Sequence, residues 1–340
     1  MREHKQYSIV DAHSDILLDV IRKRAQGRTK VMEEDWVPKM RQGGIDMRVV
    51  SIYVDDAFLP EMALRRGLDL VIALHSEVDE SPSIRMCTSC EDIRKARDDG
   101  KVGFILGFEG VEPLTRDADL IQIFHKLGLR VLGLTHSRRN YAADGSFMSP
   151  TKSGKPGGLT DFGMDLLEKA NDLGIVVDVS HLNDPGFWDV MENTKSPVIA
   201  SHSNCRSLCN HLRNLADDQI RAIAEKGGVI GVNSAPMYID EKNADTDHML
   251  NHLDHIVDIA SSKSAGLGFD FYGYLLNYLS EDEKARLPPK AFSFPPDSIT
   301  KDEDVPKVIN GLVKRGYSKE DINLISGGNF LRVFQKVWKQ

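Results

Sequence analysis

The 340-residue sequence has little cysteine, no excess of positive charge and no long apolar run. Each shortage closes off a class of function. Four cysteines, placed as Cys87 with Cys90 and Cys205 with Cys209, are too few for a disulfide framework, and a lone C-x-x-C is weak ground for a zinc or redox site. They read as reduced thiols. Lysine and arginine number 43 against 51 acidic residues, so the net charge of −8 offers no electrostatic footprint for nucleic acid or an anionic membrane surface. No apolar run nears the roughly 18 residues needed to cross a bilayer, and Met1 to Val10 lacks the apolar stretch of a signal peptide. A cytoplasmic protein with neither a nucleic-acid nor a membrane partner is expected. Internal repeats, low-complexity segments and linkers are missing as well, which favours a single domain over residues 1–340 against the two that length alone suggests.

What the sequence does have is a regular alternation of short apolar runs with amphipathic stretches, the pattern of β-α units around a parallel sheet. The runs fall at 7–13, 47–54, 102–109, 130–136, 174–181, 197–203, 227–234 and 265–271. Eight is the number of a (β/α)8 TIM-type barrel. Helices are expected over 61–78, 119–127, 160–173, 216–226 and 246–261, with acidic first turns and glycine stops such as Gly174 and Gly227. A glycine-, proline- and serine-rich stretch at 137–158 follows the fourth strand directly, where a loop covering a substrate would sit. Beyond the eighth strand, 272–306 reads as a long proline-rich connection. A C-terminal helical extension from about residue 304, with helices over 305–315 and 318–338, is expected outside the barrel, the second broken at Gly327-Gly328.

Active sites of such barrels form at the C-terminal ends of the strands. Here those ends carry His13 and Asp15, Glu109, His136, His181, His202 and Asp270. One histidine at a strand end is ordinarily a hydrogen-bonded structural residue. Four of them with three carboxylates would bury uncompensated charge unless a cation joined them, so a metal centre of the metal-dependent hydrolase kind is expected. His13 and Asp15, two apart on an extended segment, can grip one ion together. Imidazole with carboxylate suits zinc, with manganese and iron as alternatives. Adding Glu109, His181 and His202 exceeds what one four-coordinate ion with an open position can use, so two ions are expected, with Glu109 placed to bridge them at roughly 3.5–4 Å. Two divalent ions, two carboxylates and a bridging hydroxide leave a positive centre suited to hydrolysis.

The segments that carry these residues are Asp11-Ala12-His13-Ser14-Asp15, Gly107-Phe108-Glu109-Gly110, Gly133-Leu134-Thr135-His136-Ser137, Asp178-Val179-Ser180-His181, Ser201-His202-Ser203, Arg213-Asn214-Leu215 and Gly268-Phe269-Asp270-Phe271. In this order and spacing the chain resembles the membrane (renal) dipeptidase family of binuclear zinc dipeptidases, of a soluble microbial type. The resemblance implies two Zn(2+) per subunit, with His13 and Asp15 on one ion, His181 and His202 on the other, and Glu109 between them. It also implies that His136 polarises the scissile carbonyl, that Arg213 holds the C-terminal carboxylate of a dipeptide, and that Asp270 shuttles the proton. A small dipeptide is the implied partner, and a homodimer is compatible with the reading. Two positions depart from the family pattern. Tyr272 replaces the second Asp of a D-F-D-G run, and Ser234-Ala235-Pro236 follows Val232-Asn233 where an aromatic residue is common.

Other histidines have simpler explanations. His248, His252 and His255 share one face of a helix as any amphipathic pattern would place them. Two other functions compete with the dipeptidase: a binuclear-metal barrel hydrolase acting on another amide, a lactone or an ester, and a non-catalytic ligand-binding relative.

Overall fold

Backbone groups in runs of Val and Ile that are buried on both faces can be satisfied only by pairing with similar runs. The computed structural model, which describes residues 7–146, 154–286 and 293–339, shows that pairing. The strands are β1 (Ile9–Asp11), β2 (Ile45–Ile52), β3 (Ile84–Met86), β4 (Val102–Glu109), β5 (Leu129–Gly133), β6 (Val176–Asp178), β7 (Ile199–Ala200), β8 (Val229–Val232) and β9 (Ala265–Leu267). All pairs are parallel, in the order β1-β2-β4-β5-β6-β7-β8-β9. The Ala12 amide donates to the Leu267 carbonyl at 3.0 Å and draws the last strand to the first. The fold is the expected (β/α)8 barrel. Every expected strand is present, though several are shorter than the apolar run that announced them.

The strand β3 was not anticipated. Its three residues pair with Val102 to Phe104 at the start of β4, an edge that β5 leaves open because its own pairing begins at Leu106. The five expected helices appear as Ala63–Glu80, Leu120–Lys126, Asp161–Leu173, Asp217–Glu225 and Thr246–Ile259. Local chemistry sets their ends. The Thr160 side chain accepts from the Gly163 amide, and Gly174 closes the same helix in the left-handed conformation at φ +73°. Of the loop expected over 137–158, residues 147–153 lie outside the described residues, as do 287–292 of the later connection.

The C-terminal extension differs from expectation in two ways. First, Gly327-Gly328 does not break the helix: Lys319–Asn323 runs through a π turn, Leu324–Gly328, into Asn329–Val337. A Cβ at Gly327 would lie 2.6 Å from the Ser8 carbonyl, so glycine serves here to bring the helix onto β1. Second, the final helix does not pack outside the barrel. Phe330, Val333, Phe334 and Trp338 share a buried cluster with Val10, Met47, Ile105, Val131, Val176, Ile199 and Val229. Residues from seven strands meet only in the barrel interior, so this helix stoppers the end of the barrel opposite the site. Gly266 in β9 leaves the space, since a Cβ there would come within 2.5 Å of the Phe330 ring. Among the described residues no helix is long and apolar enough to cross a membrane.

A buried ion triad ties the ends of the chain together. Arg48 on β2 is fully buried; its Nε donates to Asp11 Oδ2 at 2.9 Å and its two Nη groups bond to Asp302. Replacing Arg48 by Ala should strand two buried carboxylates and cost about 3–5 kcal/mol. A urea midpoint equal to that of the parent protein would show that the triad contributes nothing.

Candidate active site

Strand ends are where a parallel barrel exposes side chains to a common mouth, and the structure brings all eight singled-out residues to that mouth. Glu109 Oε1 lies at the middle, 3.4 Å from His13 Nε2, 3.0 Å from His181 Nε2 and 3.5 Å from His202 Nε2. On the β1 side, His13 Nε2 is 3.8 Å from both Asp15 Oδ2 and Asp270 Oδ1. On the opposite side the Nε2 atoms of His181 and His202 approach to 2.9 Å. His136 completes the ring, its imidazole 4.5 Å from that of His181 between centroids. Three overlapping groups have ligand atoms within 4.8 Å of one another: His13 with Glu109 and His202, Glu109 with His136 and His181, and His13 with Asp15 and Asp270. Glu109 and His13 each belong to two of them, and of the two the carboxylate, with its two oxygens, is the group suited to being shared between adjacent ions.

The donors fit a metal. Among the described residues, His13 Nε2 and Glu109 Oε2 are buried without a hydrogen-bond partner. A buried polar atom left so is costly, and a cation would satisfy both. Burial drives His181 and His202 well below the usual histidine pKa and His136 down to about 3, so these rings present neutral nitrogens. Burial, reinforced by Asp15, raises Glu109 well above the carboxylate range. His13 responds in the opposite sense. Burial opposes its charge, but Glu109, Asp15 and Asp270 outweigh it and push the ring up to about 10. Without a metal, a proton on His13 takes the place of the cation.

Support for the ligands comes from residues that no strand-end rule indicates. His202 Nδ1 is 2.7 Å from Ser201 Oγ, which in turn bonds to Asp178, so the imidazole is turned with Nε2 toward Glu109. Ser180 Oγ accepts from the His202 amide at 3.1 Å, and Ser51 Oγ bonds to Asp15. Of these partners, Asp178, Ser180 and Ser201 lie within the Ser201-His202-Ser203 and Asp178-Val179-Ser180-His181 segments, close to the histidines. Their flanking hydroxyls and carboxylate are the missed part, and the only signal for them was an unusual density of serine around each histidine.

Two site residues sit in the left-handed region that L side chains rarely adopt: His181 at φ +67° and Asp270 at φ +57°. Hydrogen bonds hold the backbone there. The His181 carbonyl accepts from the Ser146 amide at 2.7 Å and Thr135 Oγ at 3.2 Å. The Phe269 carbonyl, beside Asp270, accepts from both the amide and the hydroxyl of Ser234, the latter at 2.7 Å. The Ser234 departure from the family pattern therefore fastens the turn that presents Asp270. Tyr272, the other departure, sets its ring 6.2 Å from that of Phe294.

Arg213 is buried beside the cluster. It donates from Nη1 to Ser203 Oγ at 2.7 Å and from Nη2 to the His202 carbonyl at 2.6 Å, while Nε has no partner among the described residues. The Asp270 carboxylate accepts from Asn233 Nδ2 at 3.1 Å, and burial raises its pKa to about 6. The helix histidines stay structural: His252 is buried, with Nδ1 accepting from the Cys205 amide at 3.0 Å, and His248 and His255 pair with Asp245 and Asp217.

The model of the membrane dipeptidase family, peptidase family M19, matches residues 2–283. The chain belongs to this family. An M19 fold and a metal-ready cluster thus stand together in one molecule. A protein of Klebsiella pneumoniae, known as an uncharacterized protein in the pqqA 5' region, is 31% identical over 265 residues, covering 76% of this chain and 90% of the relative. Two solved structures are similar over 98% of the chain, each with a TM-score of 0.84 and 26% identity. One is a metallo peptidase from Rhodobacter sphaeroides liganded with a phosphinate mimic of the dipeptide L-Ala-D-Ala, matched over 100% of its length. The other is a dipeptidase of family M19, matched over 99%. Membership makes the chain a metallopeptidase of the dipeptidase kind.

If Ser201 orients His202, Ser201→Ala should weaken zinc binding about 10- to 100-fold, as removal of a hydrogen bond behind a ligand does. Affinity should also rise with pH, because binding displaces the His13 proton. Competition titrations at two pH values check both, and a pH-independent affinity would contradict the His13 assignment.

Proposed function

We propose that the protein is a zinc-dependent dipeptidase that holds two ions per subunit and hydrolyses small dipeptides, acting in the cytoplasm. The observation that carries this reading is the buried Glu109 carboxylate between His13 on one side and His181 and His202 on the other, with Arg213 beside them. His13 and Asp15 would hold one ion, His181 and His202 the second, and Glu109 both. Bound there, zinc would lower the pKa of water and withdraw charge from the scissile carbonyl. The phosphinate dipeptide mimic in the Rhodobacter neighbour supports a dipeptide as the substrate. The sparse cysteines accord with a reducing compartment, and a homodimer is part of the same proposal.

The roles of the chain's own groups follow from their surroundings. Arg213 spends two N–H groups on Ser203 and the His202 carbonyl, which fixes its plane and leaves Nε and the remaining hydrogens for a carboxylate. That carboxylate is the C-terminal one of the dipeptide. His136, kept neutral by burial and with Nδ1 2.9 Å from Ser137 Oγ, has its other ring nitrogen left for the carbonyl oxygen as charge develops on it. Asp270, held by Asn233, accepts a proton from the attacking water and passes it to the leaving amine as the C–N bond breaks.

Asp270→Asn should lower kcat about 10²- to 10⁴-fold while the protein keeps its zinc. Unchanged turnover would remove Asp270 from the mechanism and would leave the hydrolase intact. Burial, reinforced by Asp15 and partly offset by His13, Arg213 and Asn233, places the Asp270 pKa at about 6, and bound zinc would lower it further, so kcat/KM should fall only as pH drops below about 6. A hydrolase of other amides or esters is separated by substrate: blocking the dipeptide's C-terminal carboxylate as an amide should cost about 2–5 kcal/mol in kcat/KM, because the buried Arg213 is left unpaired. Metal-loaded protein equally active on amides and free acids would favour that second reading, and protein inert on both would favour a binding relative.

A further inference from the structure

Beside the metal cluster, but using none of its ligands, lies a cavity of about 650 Å³. Its size falls within the roughly 300–1,000 Å³ of small-molecule sites. The loops that form it follow three consecutive strands: Leu59 and Ala63 come after β2, Glu112 and Arg116 after β4, and Arg138 and Tyr141 after β5. Arg213, Tyr238 and Asp270 follow β7, β8 and β9, which lie across the barrel mouth in the strand order. A dipeptide whose C-terminal carboxylate is on Arg213 and whose peptide bond is at the cluster must point its N-terminal residue toward this cavity.

The cavity wall reaches the site directly. Glu112 is three residues beyond Glu109, and Arg138 two beyond His136. The Tyr53 ring stands between the two spaces, 4.7 Å from the His136 ring and 5.6 Å from the Arg138 guanidinium.

Its charges are not all balanced. Arg138 is neutralised by Glu112 at 2.9 Å and Asp56 at 2.5 Å, and Arg139 by Asp144. Arg116 makes no ion pair among the described residues; its guanidinium lies over the half-exposed Tyr141 ring, 5.4 Å from the centroid. Thr115, immediately before it, is held at φ +52°, an uncommon conformation for a β-branched residue and one that recurs where a segment is positioned for a task. The space therefore offers an apolar middle of Leu59, Ala63 and Tyr141 and, at the rim, an arginine without an ion-pair partner among the described residues.

We propose that this cavity receives the N-terminal residue of the substrate and selects a long side chain that ends in a carboxylate, a reading that rests on the dipeptidase assignment. The stem lies against Leu59 and Tyr141, and the acidic tip meets Arg116. The preferred substrates are then dipeptides with an N-terminal glutamate-like residue. Dipeptides with a basic N-terminal residue are disfavoured.

The test compares kcat/KM for Glu-Ala, Leu-Ala, Lys-Ala and Gly-Ala in the zinc-loaded parent protein, Arg116→Glu and Leu59→Trp, with circular dichroism confirming that each variant folds. The parent should prefer Glu-Ala to Lys-Ala. Arg116→Glu should lower the Glu-Ala to Gly-Ala ratio about tenfold and raise the Lys-Ala to Gly-Ala ratio, the scale of one partly exposed charge contact. Leu59→Trp should lower all three long-side-chain substrates relative to Gly-Ala. Ratios that stay constant across the three proteins while dipeptides are turned over overturn the subsite and leave the dipeptidase standing. Absence of turnover on every dipeptide by the zinc-loaded parent overturns the dipeptidase assignment and the subsite with it.

Discussion

The two halves of the site are held together by one buried carboxylate. Asp11 takes Arg48 on Oδ2, and on Oδ1 accepts the amide of Phe269 at 2.9 Å and, more weakly, that of His13 at 3.5 Å. Those amides belong to the residue before Asp270 and to His13 itself, so a single group sets the distance between the first and last strands where they carry chemistry. Burial raises the Asp11 pKa and Arg48 opposes the rise. An arginine is suited to this because its charge survives burial and its planar fork reaches Asp11 and Asp302 at once. Few ladder bonds cross this seam of the barrel, and the ion pair supplies the precision they do not.

A second constraint acts beneath the histidines. Ser180, Ser201 and Ser203 point their hydroxyls toward one another inside the upper barrel, with Ser180 Oγ 3.3 Å from Ser203 Oγ. Asp178 anchors one end of this layer and Arg213 the other. Hydroxyls are small enough for the narrow interior and can donate or accept as each neighbour requires. The layer links the tilt of the His202 ring to the position of the arginine, so a change at Ser203 is felt at both His202 and Arg213.

Much of this was legible in the linear chain, and for a physical reason. Strands buried on both faces must be apolar throughout, so eight Val- and Ile-rich runs announce a barrel, and a polar residue ending such a run has few places to be except the mouth. Seven of the eight site residues end such runs, and Arg213, which ends none, is indicated by the family resemblance alone. Three features escaped it. The strand Ile84–Met86 is too short to show a period, and its existence depends on an edge left open by β5. The left-handed backbone at His181 and Asp270 is imposed by partners distant in sequence, on residue types that do not advertise it. The destination of the last helix was misread because its apolar face, centred on Phe330 and Phe334, states only that it is covered, and a barrel interior and a barrel exterior are equally apolar.

That last helix carries a consequence for how the protein is made. Chains emerge from the ribosome N-terminus first and fold by domain as they appear. Every residue proposed to touch metal, from His13 to His202, and Asp270 with them, is synthesised before Asn329–Val337 exists. Until Phe330 and Phe334 arrive, the nascent barrel has its complete upper mouth and an open lower end, with Val10, Val131 and Val229 facing water. The hydrophobic stopper is therefore delivered after every strand it covers, and in the interval before it arrives those apolar side chains lack their cover.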